Sequence, residues 1–154
     1  MSEPKRKVLE GHNVFIVGPL NLQNEFLLYV IEREVGGSCR IYDQDLRRFY
    51  VDESISESGE MPSLILIDSA EQSFESILKD LATREVGPNW KIALFNLVEN
   101  AGVETKALTR RIQGFFYKED SFEIFLKGIK AIFDGEIWVP RRVLLKYVYE
   151  TMEE

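Results

Sequence analysis

Near its end the chain carries side chains suited to binding an anion, Trp138-Val139-Pro140-Arg141-Arg142. Guanidinium groups bind carboxylates and phosphates through paired N–H donors, and a tryptophan ring offers a flat apolar wall. Pro140 fits the first turn of a helix, because the N–H that it lacks would be unpaired there. Arg141 and Arg142 would then lie where the helix dipole already presents partial positive charge. An anionic ligand would reverse that unfavourable balance, so the segment is a candidate anion site.

A second explanation of the same residues needs no ligand. Arg141 and Arg142 could be solvated or could pair with Glu136 and Asp134, and Trp138 could be a core residue. The residues alone leave both explanations open.

Polar side chains at the ends of predicted strands form a second candidate site. Asp68 ends the third apolar run, Asn96 ends the fourth, and Lys118 follows the fifth. In open parallel sheets, ligands bind in the crevice at the carboxyl ends of the strands. We therefore expect Lys118 and Asn96 to lie near Asp68.

Short apolar strands that alternate with helices would position both sites. The predicted strands are residues 13–17, 39–43, 63–68, 91–96 and 113–117. Continuous apolar runs are typical of strands covered on both faces, and βαβ connections make the sheet parallel. We expect a flavodoxin/CheY-like α/β fold with five parallel strands in the order 2-1-3-4-5, and an additional C-terminal sixth helix at about residues 140–152.

The helices differ in how clearly the sequence marks them. Residues 121–134 carry the best helical pattern, with Ser121 as N-cap and Gly135 at the end, whereas residues 99–111 are too weakly apolar to predict a helix. Residues 44–62 predict one irregular helical turn and a loop. The first helix has Asn21 as N-cap, ends at Gly36, and has a predicted apolar face of Leu22, Phe26, Tyr29 and Val30.

Composition predicts one domain, residues 13–154, after a flexible tail at 1–12. The net charge of −7 argues against direct nucleic-acid binding, which needs clustered Lys and Arg. The lone Cys39 fits a reducing cytoplasm, and we find neither a secretory signal nor a membrane span. No metal-spaced cluster, nucleophile elbow or P-loop indicates an enzyme.

The strand-end residues resemble those of the receiver domains of bacterial response regulators. In that family an aspartate accepts a phosphoryl group and a lysine contacts it, and the resemblance gives Asp68 and Lys118 those positions. Asn96 stands where the family has Ser or Thr. The family holds Mg²⁺ with an acidic pair after the first strand, where this sequence has Gly18-Pro19. Asp43 and Asp45 are expected at the sheet edge, away from Asp68, so we expect no metal site and no working phosphorylation.

Most of the chain, with the clearest pattern at residues 112–147, is similar to the receivers of LuxR/FixJ-type transcription regulators, in particular the CsgD/VpsT-like branch of biofilm regulators. The likeness rests on the degenerate acidic pair, the aspartate after the third strand, the GFFYKED segment and the additional helix. It implies a regulatory, non-enzymatic domain of a two-component type. DNA would be contacted only through a C-terminal helix-turn-helix domain, which we expect to lie outside this chain.

The resemblance also implies a ligand. VpsT-type members bind cyclic di-GMP through a motif of the form W-[FLM]-[TS]-R and dimerise on binding it. Trp138 and Arg141 match the outer positions, Val139 is a mild change, and Pro140 replaces a hydroxyl residue. Arg142 could supplement a phosphate contact. We therefore expect a homodimer with cyclic di-GMP at this motif. The alternatives are a ligand-independent dimerisation module and a conventional phospho-receiver that uses Asp68.

Overall fold

The computed structural model describes residues 11–43, 49, 63–70, 73–82, 90–99 and 101–152. These residues form a five-stranded parallel sheet of order β2-β1-β3-β4-β5. The strands are β1 (Asn13–Val17), β2 (Ser38–Tyr42), β3 (Leu64–Asp68), β4 (Lys91–Leu97) and β5 (Gly114–Tyr117). The predicted fold class and strand order are confirmed, and each strand boundary agrees with its prediction to within one residue.

Helices cover both faces of the sheet. They are α1 (Leu22–Val30), which continues as the π-helical turn Ile31–Val35, α2 (Phe74–Ala82), α3 (Ala101–Thr109), α4 (Phe122–Phe133) and the C-terminal helix (Arg141–Met152). One core cluster joins the sheet to Leu27 of α1 and Ile129 of α4. The other joins its opposite face to Ile77 of α2 and Ala107 of α3. None of the helices in the described part of the chain is long and apolar enough to cross a bilayer.

Part of the sequence interpretation lies outside the described residues. This holds for residues 1–10 of the predicted tail and for the predicted turn and loop at 44–62, Asp45 included, with the exception of the buried Phe49.

The apolar face predicted for α1 is wrong at Leu22, Phe26 and Tyr29, which are exposed, and is confirmed only at Val30. Asn21 caps the helix as predicted, but the buried residues are Asn24, Leu27 and Val30, while the Leu22 side chain is 84% exposed. The buried amide of Asn24 donates to the Pro19 carbonyl oxygen at 2.8 Å and to the Asp68 carboxylate at 3.1 Å. These two hydrogen bonds fix the rotation of the helix about its axis, and the predicted apolar face therefore turns outward.

The weakly apolar segment at 99–111 does contain a helix, α3. Its sequence lacks an apolar stripe because the helix buries polar side chains, Glu104 at 1% exposure and Thr105 at 5%, next to Ala107. Hydrophobic periodicity therefore missed it.

The segment before the C-terminal helix adds one residue pair to the edge of the sheet. The Trp138 N–H donates to the Gln113 carbonyl oxygen at 2.7 Å, and the Phe115 N–H donates to the Trp138 carbonyl oxygen at 2.9 Å. Trp138 thus lies beside Gly114 in a parallel bridge. The predicted candidate anion site therefore begins as part of the sheet.

Pro140 ends this pairing and starts the helix. It has no N–H with which to continue the ladder. Its carbonyl oxygen accepts from the N–H groups of Val143 at 3.0 Å and Leu144 at 3.2 Å, which forms the first helical turn. Pro140 therefore lies at the N-cap of the helix, immediately before its first residue, Arg141.

A buried carboxylate on α3 fastens the C-terminal helix to the domain. Glu104 accepts from the Arg142 Nη1 at 3.3 Å and Nη2 at 3.1 Å, and also from the Tyr117 hydroxyl. The Arg142 Nη2 lies 3.4 Å from an oxygen of Glu99, and the guanidinium carbon lies 5.9 Å from the centre of the Tyr117 ring. Burial, followed by the hydrogen bond to Glu104, raises the pKa of Tyr117, so the hydroxyl stays a donor.

The single cysteine is enclosed in the core. Cys39 lies on β2 with 4% of its surface exposed. Burial, with a contribution from the Glu32 carboxylate, raises the pKa of its thiol to about 12. Because thiolate is the reactive form, this thiol is inert in the folded protein at neutral pH.

We predict that Cys39 reacts with a thiol reagent at pH 8 only after unfolding. The raised pKa leaves almost no thiolate, and burial blocks access to what remains. Absorbance recorded with 5,5′-dithiobis(2-nitrobenzoate) should rise slowly in buffer and at once in denaturant. Equal rates in the two solutions would contradict the buried placement.

We predict that Arg142→Ala lowers the free energy of unfolding by about 2 kcal/mol, because it leaves the Glu104 carboxylate buried without its cation. Lys146→Ala is the matched control on the same helix. Its loss should stay within about 0.5 kcal/mol, since among the described residues Lys146 pairs only with the exposed Glu150, at 3.8 Å. Urea denaturation measures both. Equal losses would show that the Glu104 pairing does not fasten the helix.

Candidate functional site

Asp68 lies at the carboxyl end of β3 with its carboxylate already hydrogen bonded. It is 4% exposed. Oδ2 accepts from the Asn24 side-chain amide at 3.1 Å, and Oδ1 accepts from the Asn96 side-chain amide at 3.0 Å and from the Ala70 backbone N–H at 3.0 Å. Three neutral donors therefore hold the oxygen atoms that a phosphoryl acceptor would use.

The Asn96 amide that donates to Asp68 is itself held by a second side-chain amide, that of Gln23. Asn96 lies within β4 rather than at its end, since the strand continues to Leu97. Its backbone has a φ of 60°, a left-handed conformation that asparagine tolerates better than most residues. The Asn96 and Gln23 side chains exchange two hydrogen bonds, at 2.9 and 3.1 Å. Gln23 thus holds Asn96 in the orientation from which Asn96 donates to Asp68.

Position 18, directly after β1, leaves no room for a metal-binding side chain. A Cβ atom added to Gly18 would lie 2.7 Å from the Asp68 Cβ and 3.2 Å from the Asn24 amide nitrogen. Asp43 is exposed and directly follows β2, the strand at the edge of the sheet, with β1 between β2 and β3. Within the described ranges, no group of three or more His, Cys, Asp or Glu side chains could hold a metal ion.

Lys118 lies in the same groove as Asn96 but does not contact Asp68. Lys118, Asn96 and Gln23 line an open groove of about 210 Å³ between α1 and the start of α4. Lys118 is exposed, and no ion pair between it and Asp68 occurs in the part of the chain that the structure describes. The structure therefore brings Asp68 and Asn96 into contact and places Lys118 at the rim.

Sequence reasoning missed Gln23 and Asn24. The signal that could have found Asn24 is its spacing, because Asn24, Leu27 and Ile31 lie three and four residues apart on one helical face. A buried amide on that face requires polar partners. The ends of β1 and β3 are the nearest source of such partners in this fold.

The second candidate site is divided between a groove and the outer surface. Trp138, Val139 and Pro140 are half-buried and line a groove of about 780 Å³, together with Asp120 and Glu136. The two acidic residues disfavour a phosphate inside that groove, so Trp138 can offer a ligand an apolar surface but not a site for its phosphates.

Trp138 packs tightly against the helix below it. A Cβ atom added to Gly128 would lie 2.8 Å from the Trp138 ring and 2.3 Å from the Phe116 ring. The tryptophan thus completes one core cluster, as the ligand-free explanation expects, while part of its surface stays open to solvent.

The two arginines have separate roles. Arg142 is held by Glu104 and Glu99, so neither Glu136 nor Asp134 is its partner. Arg141 is exposed, and none of the described residues forms a hydrogen bond or ion pair with its side chain. Of the two cations, only Arg141 is free to meet an anion without the loss of an existing contact.

Comparison with solved structures shows several close likenesses of fold. The regulatory domain of the master biofilm regulator CsgD matches with a TM-score of 0.65 and 18% identity, over 90% of this chain and 99% of that one. A LuxR-family two-component response regulator from Aurantimonas sp. SI85-9A1 matches with a TM-score of 0.66 and 16% identity, over 91% and 97%.

RcsB from Salmonella enterica serovar Typhimurium, bound to promoter P1flhDC in the presence of the phosphomimetic BeF3−, is also similar. It matches with a TM-score of 0.67 and 15% identity, over 88% of this chain and 67% of that one. No model of a known protein family and no curated protein matches the sequence. The structural neighbours are thus receiver domains of LuxR-family response regulators, and the chain itself has the CheY-like receiver fold.

Proposed function

We propose that the chain is the regulatory receiver domain of a LuxR-family transcription regulator, that it acts in the cytoplasm, and that it signals without Mg²⁺-dependent phosphorylation of an aspartate. The fold and its neighbours support the receiver class. DNA would be bound by a C-terminal helix-turn-helix domain, since this chain carries a net charge of −7.

The hydrogen bonding of the Asp68 carboxylate is the observation that supports signalling without phosphorylation. Phosphoryl transfer to an aspartate develops negative charge that a metal ion and fixed donors must neutralise. Here the carboxylate oxygens accept three hydrogen bonds from neutral groups, and Gly18 stands too close to Asp68 for any side chain. An incoming phosphoryl group would have to displace the amides of Asn24 and Asn96.

We propose cyclic di-GMP as the ligand, with Trp138 and Arg141 as the residues that contact it. Arg141 is exposed and free to stack on a guanine or to pair with a phosphate. The open edge of the Trp138 ring would serve as an apolar wall. We do not include Arg142 in this site, because its guanidinium already binds Glu104. Ligand binding would act through homodimerisation.

A ligand-independent interaction module is the second candidate. The observation that favours it is the exposure of five large apolar side chains on the C-terminal helix, Leu144, Leu145, Val148, Tyr149 and Met152. A helix face of this kind can pair with another protein surface without a nucleotide.

We predict that acetyl phosphate and Mg²⁺ leave the intact mass of the chain unchanged, because the Asp68 oxygens already accept hydrogen bonds and position 18 has no room for a metal-binding side chain. A receiver with the acidic pair, treated in parallel, shows that the reagent works. A phosphoryl adduct that disappears in Asp68→Asn would contradict the proposal.

We predict that cyclic di-GMP binds with saturable heat in isothermal titration calorimetry, and that Arg141→Ala weakens binding about tenfold or more, because a charged hydrogen bond is lost. Arg110→Ala removes the same charge from an exposed position on the turn after α3 and should bind as the wild type does. Absence of heat, or equal binding by Arg141→Ala, would reject the ligand site.

A further inference from the structure

The groove between α1 and the start of α4 is lined by aromatic rings. Phe26 of α1 and Phe122 of α4 line it, with 61% and 42% of their surfaces exposed. Phe95 and Phe125, which are buried, also line it, and the Phe125 ring stacks with that of Phe122 at 6.2 Å between their centres. Exposed phenylalanine rings around one concave surface exceed the scattered apolar exposure of an ordinary surface. The groove is therefore a candidate site for an apolar group.

Lys118 adds a positive charge to this groove from a fixed position. Its backbone N–H donates to the Leu97 carbonyl oxygen at 2.8 Å. The turn that carries it is closed by the Asp120 N–H, which donates to the Tyr117 carbonyl oxygen at 3.0 Å. The Lys118 side chain is exposed, and within the described ranges no ion pair neutralises it. Its ammonium group is therefore open to an anion.

The amide and carboxylate groups at the groove already have partners. The Gln23 and Asn96 side chains exchange two hydrogen bonds, and the Asp120 carboxylate accepts from the Tyr117 backbone N–H at 2.7 Å. The capacity to bind an anion therefore rests on Lys118. One lysine beside one carboxylate gives no excess of positive charge for a multiply charged anion, so the groove favours a singly charged one.

The volume of the groove limits the size of its ligand. At about 210 Å³ it holds roughly seven water molecules, each of which takes about 30 Å³. Sites for drug-sized ligands measure about 300–1,000 Å³. One aromatic ring with a short acidic arm suits this groove, whereas a dinucleotide is too large for it.

We propose that this groove binds a small aromatic carboxylate, with its ring between Phe26 and Phe122 and its carboxylate on the Lys118 ammonium group. The ring contacts supply the apolar part of the binding, and a charge-assisted hydrogen bond fixes the orientation. Both parts are needed, because an exposed lysine alone attracts an anion only weakly in water. The ligand is a free small molecule, since the groove has room for little more than one ring.

The bound ring would cover the paired amides of Gln23 and Asn96. This pair holds Asn96 in the orientation from which it donates to Asp68. Hydrogen bonds strengthen when water is excluded, so the ligand stabilises the hydrogen-bonded state of the Asp68 carboxylate. The inference goes beyond the proposed function: its regulatory meaning rests on the receiver role, but the binding itself does not.

Titration with sodium phenylacetate, followed in two-dimensional ¹H–¹⁵N spectra at constant ionic strength, tests the proposal. We expect saturable shifts of the Lys118 backbone N–H and of the side-chain amides of Gln23 and Asn96. Phenylacetamide carries the same ring without the charge, and acetate carries the charge without the ring. Each should bind about tenfold or more weakly than phenylacetate, because each lacks one of the two interactions.

Lys118→Met removes the charge and keeps an unbranched side chain. Its dissociation constant for phenylacetate should rise about tenfold or more, while its weak binding of phenylacetamide stays unchanged. Lys118 is exposed, so the unfolding midpoint should match the wild type. Lys106→Met is the matched control, because Lys106 is an exposed lysine on α3, on the opposite face of the sheet. This control should bind phenylacetate as the wild type does.

Four results would overturn the proposal. One is the absence of saturable shifts at millimolar phenylacetate. Another is equal binding of phenylacetate and phenylacetamide, or equal binding of phenylacetate by Lys118→Met and the wild type. Shifts centred on the Trp138 indole N–H would place the ligand in the other groove. A dimer in sedimentation velocity that Phe26→Glu dissociates and phenylacetate leaves intact would assign the aromatic surface to a second copy of the chain.

Failure of this inference can be told apart from failure of the proposed function. Cyclic di-GMP binding depends on Arg141, and phenylacetate binding depends on Lys118. A chain that binds phenylacetate but not cyclic di-GMP would support the groove and reject the nucleotide site. A chain that binds only cyclic di-GMP would overturn the present inference and leave the nucleotide site standing.

Discussion

The close approach of Gly18 to Asp68 is the constraint on which the first site depends. Position 18 has no space for a Cβ atom, so this position after β1 cannot carry a carboxylate that would hold a metal ion. Without a metal, the buried Asp68 needs other donors, and Asn24 and Asn96 supply them. The inward position of Asn24 in turn sets the rotation of α1 and exposes Leu22.

The two carboxylates that are buried in the described part of the chain are held in different ways. Asp68 is surrounded by neutral amides, whereas Glu104 is paired with the guanidinium of Arg142 and the hydroxyl of Tyr117. The amides of Asn24 and Asn96 cover the Asp68 carboxylate at the carboxyl end of β3. The pairing of Glu104 with Arg142 ties the C-terminal helix to α3 and β5, and it leaves the apolar side of that helix pointing outward.

Much of the fold could be predicted from the sequence, because its strands are short runs of apolar residues and its best helix has a strong periodic pattern. The run before Asp68 is buried along its whole length, as predicted. Prediction failed where polar residues are buried. Asn24 and Glu104 lie inside because of partners that are distant in sequence, and hydrophobic periodicity contains no information about such partners.

The residues of the candidate sites could also be predicted only in part. The sequence identified Asp68, Asn96, Trp138 and Arg141 as residues of interest, but Gln23 and Asn24 were missed because their role depends on contacts across the sheet. The sequence also could not show that Arg141 and Arg142 have different surroundings. Adjacent helical positions lie about 100° apart, so Arg142 turns toward Glu104 while Arg141 faces solvent.

The most direct test of a receiver that works without phosphorylation is its response to a phosphoryl mimic. Two-dimensional ¹H–¹⁵N spectra would be recorded before and after addition of beryllofluoride and Mg²⁺. We predict unchanged signals for the Ala70 backbone N–H and for the side-chain amides of Asn24 and Asn96, because these groups stay bound to Asp68. Displacement of these signals, with spread of the change to Tyr117, would contradict it.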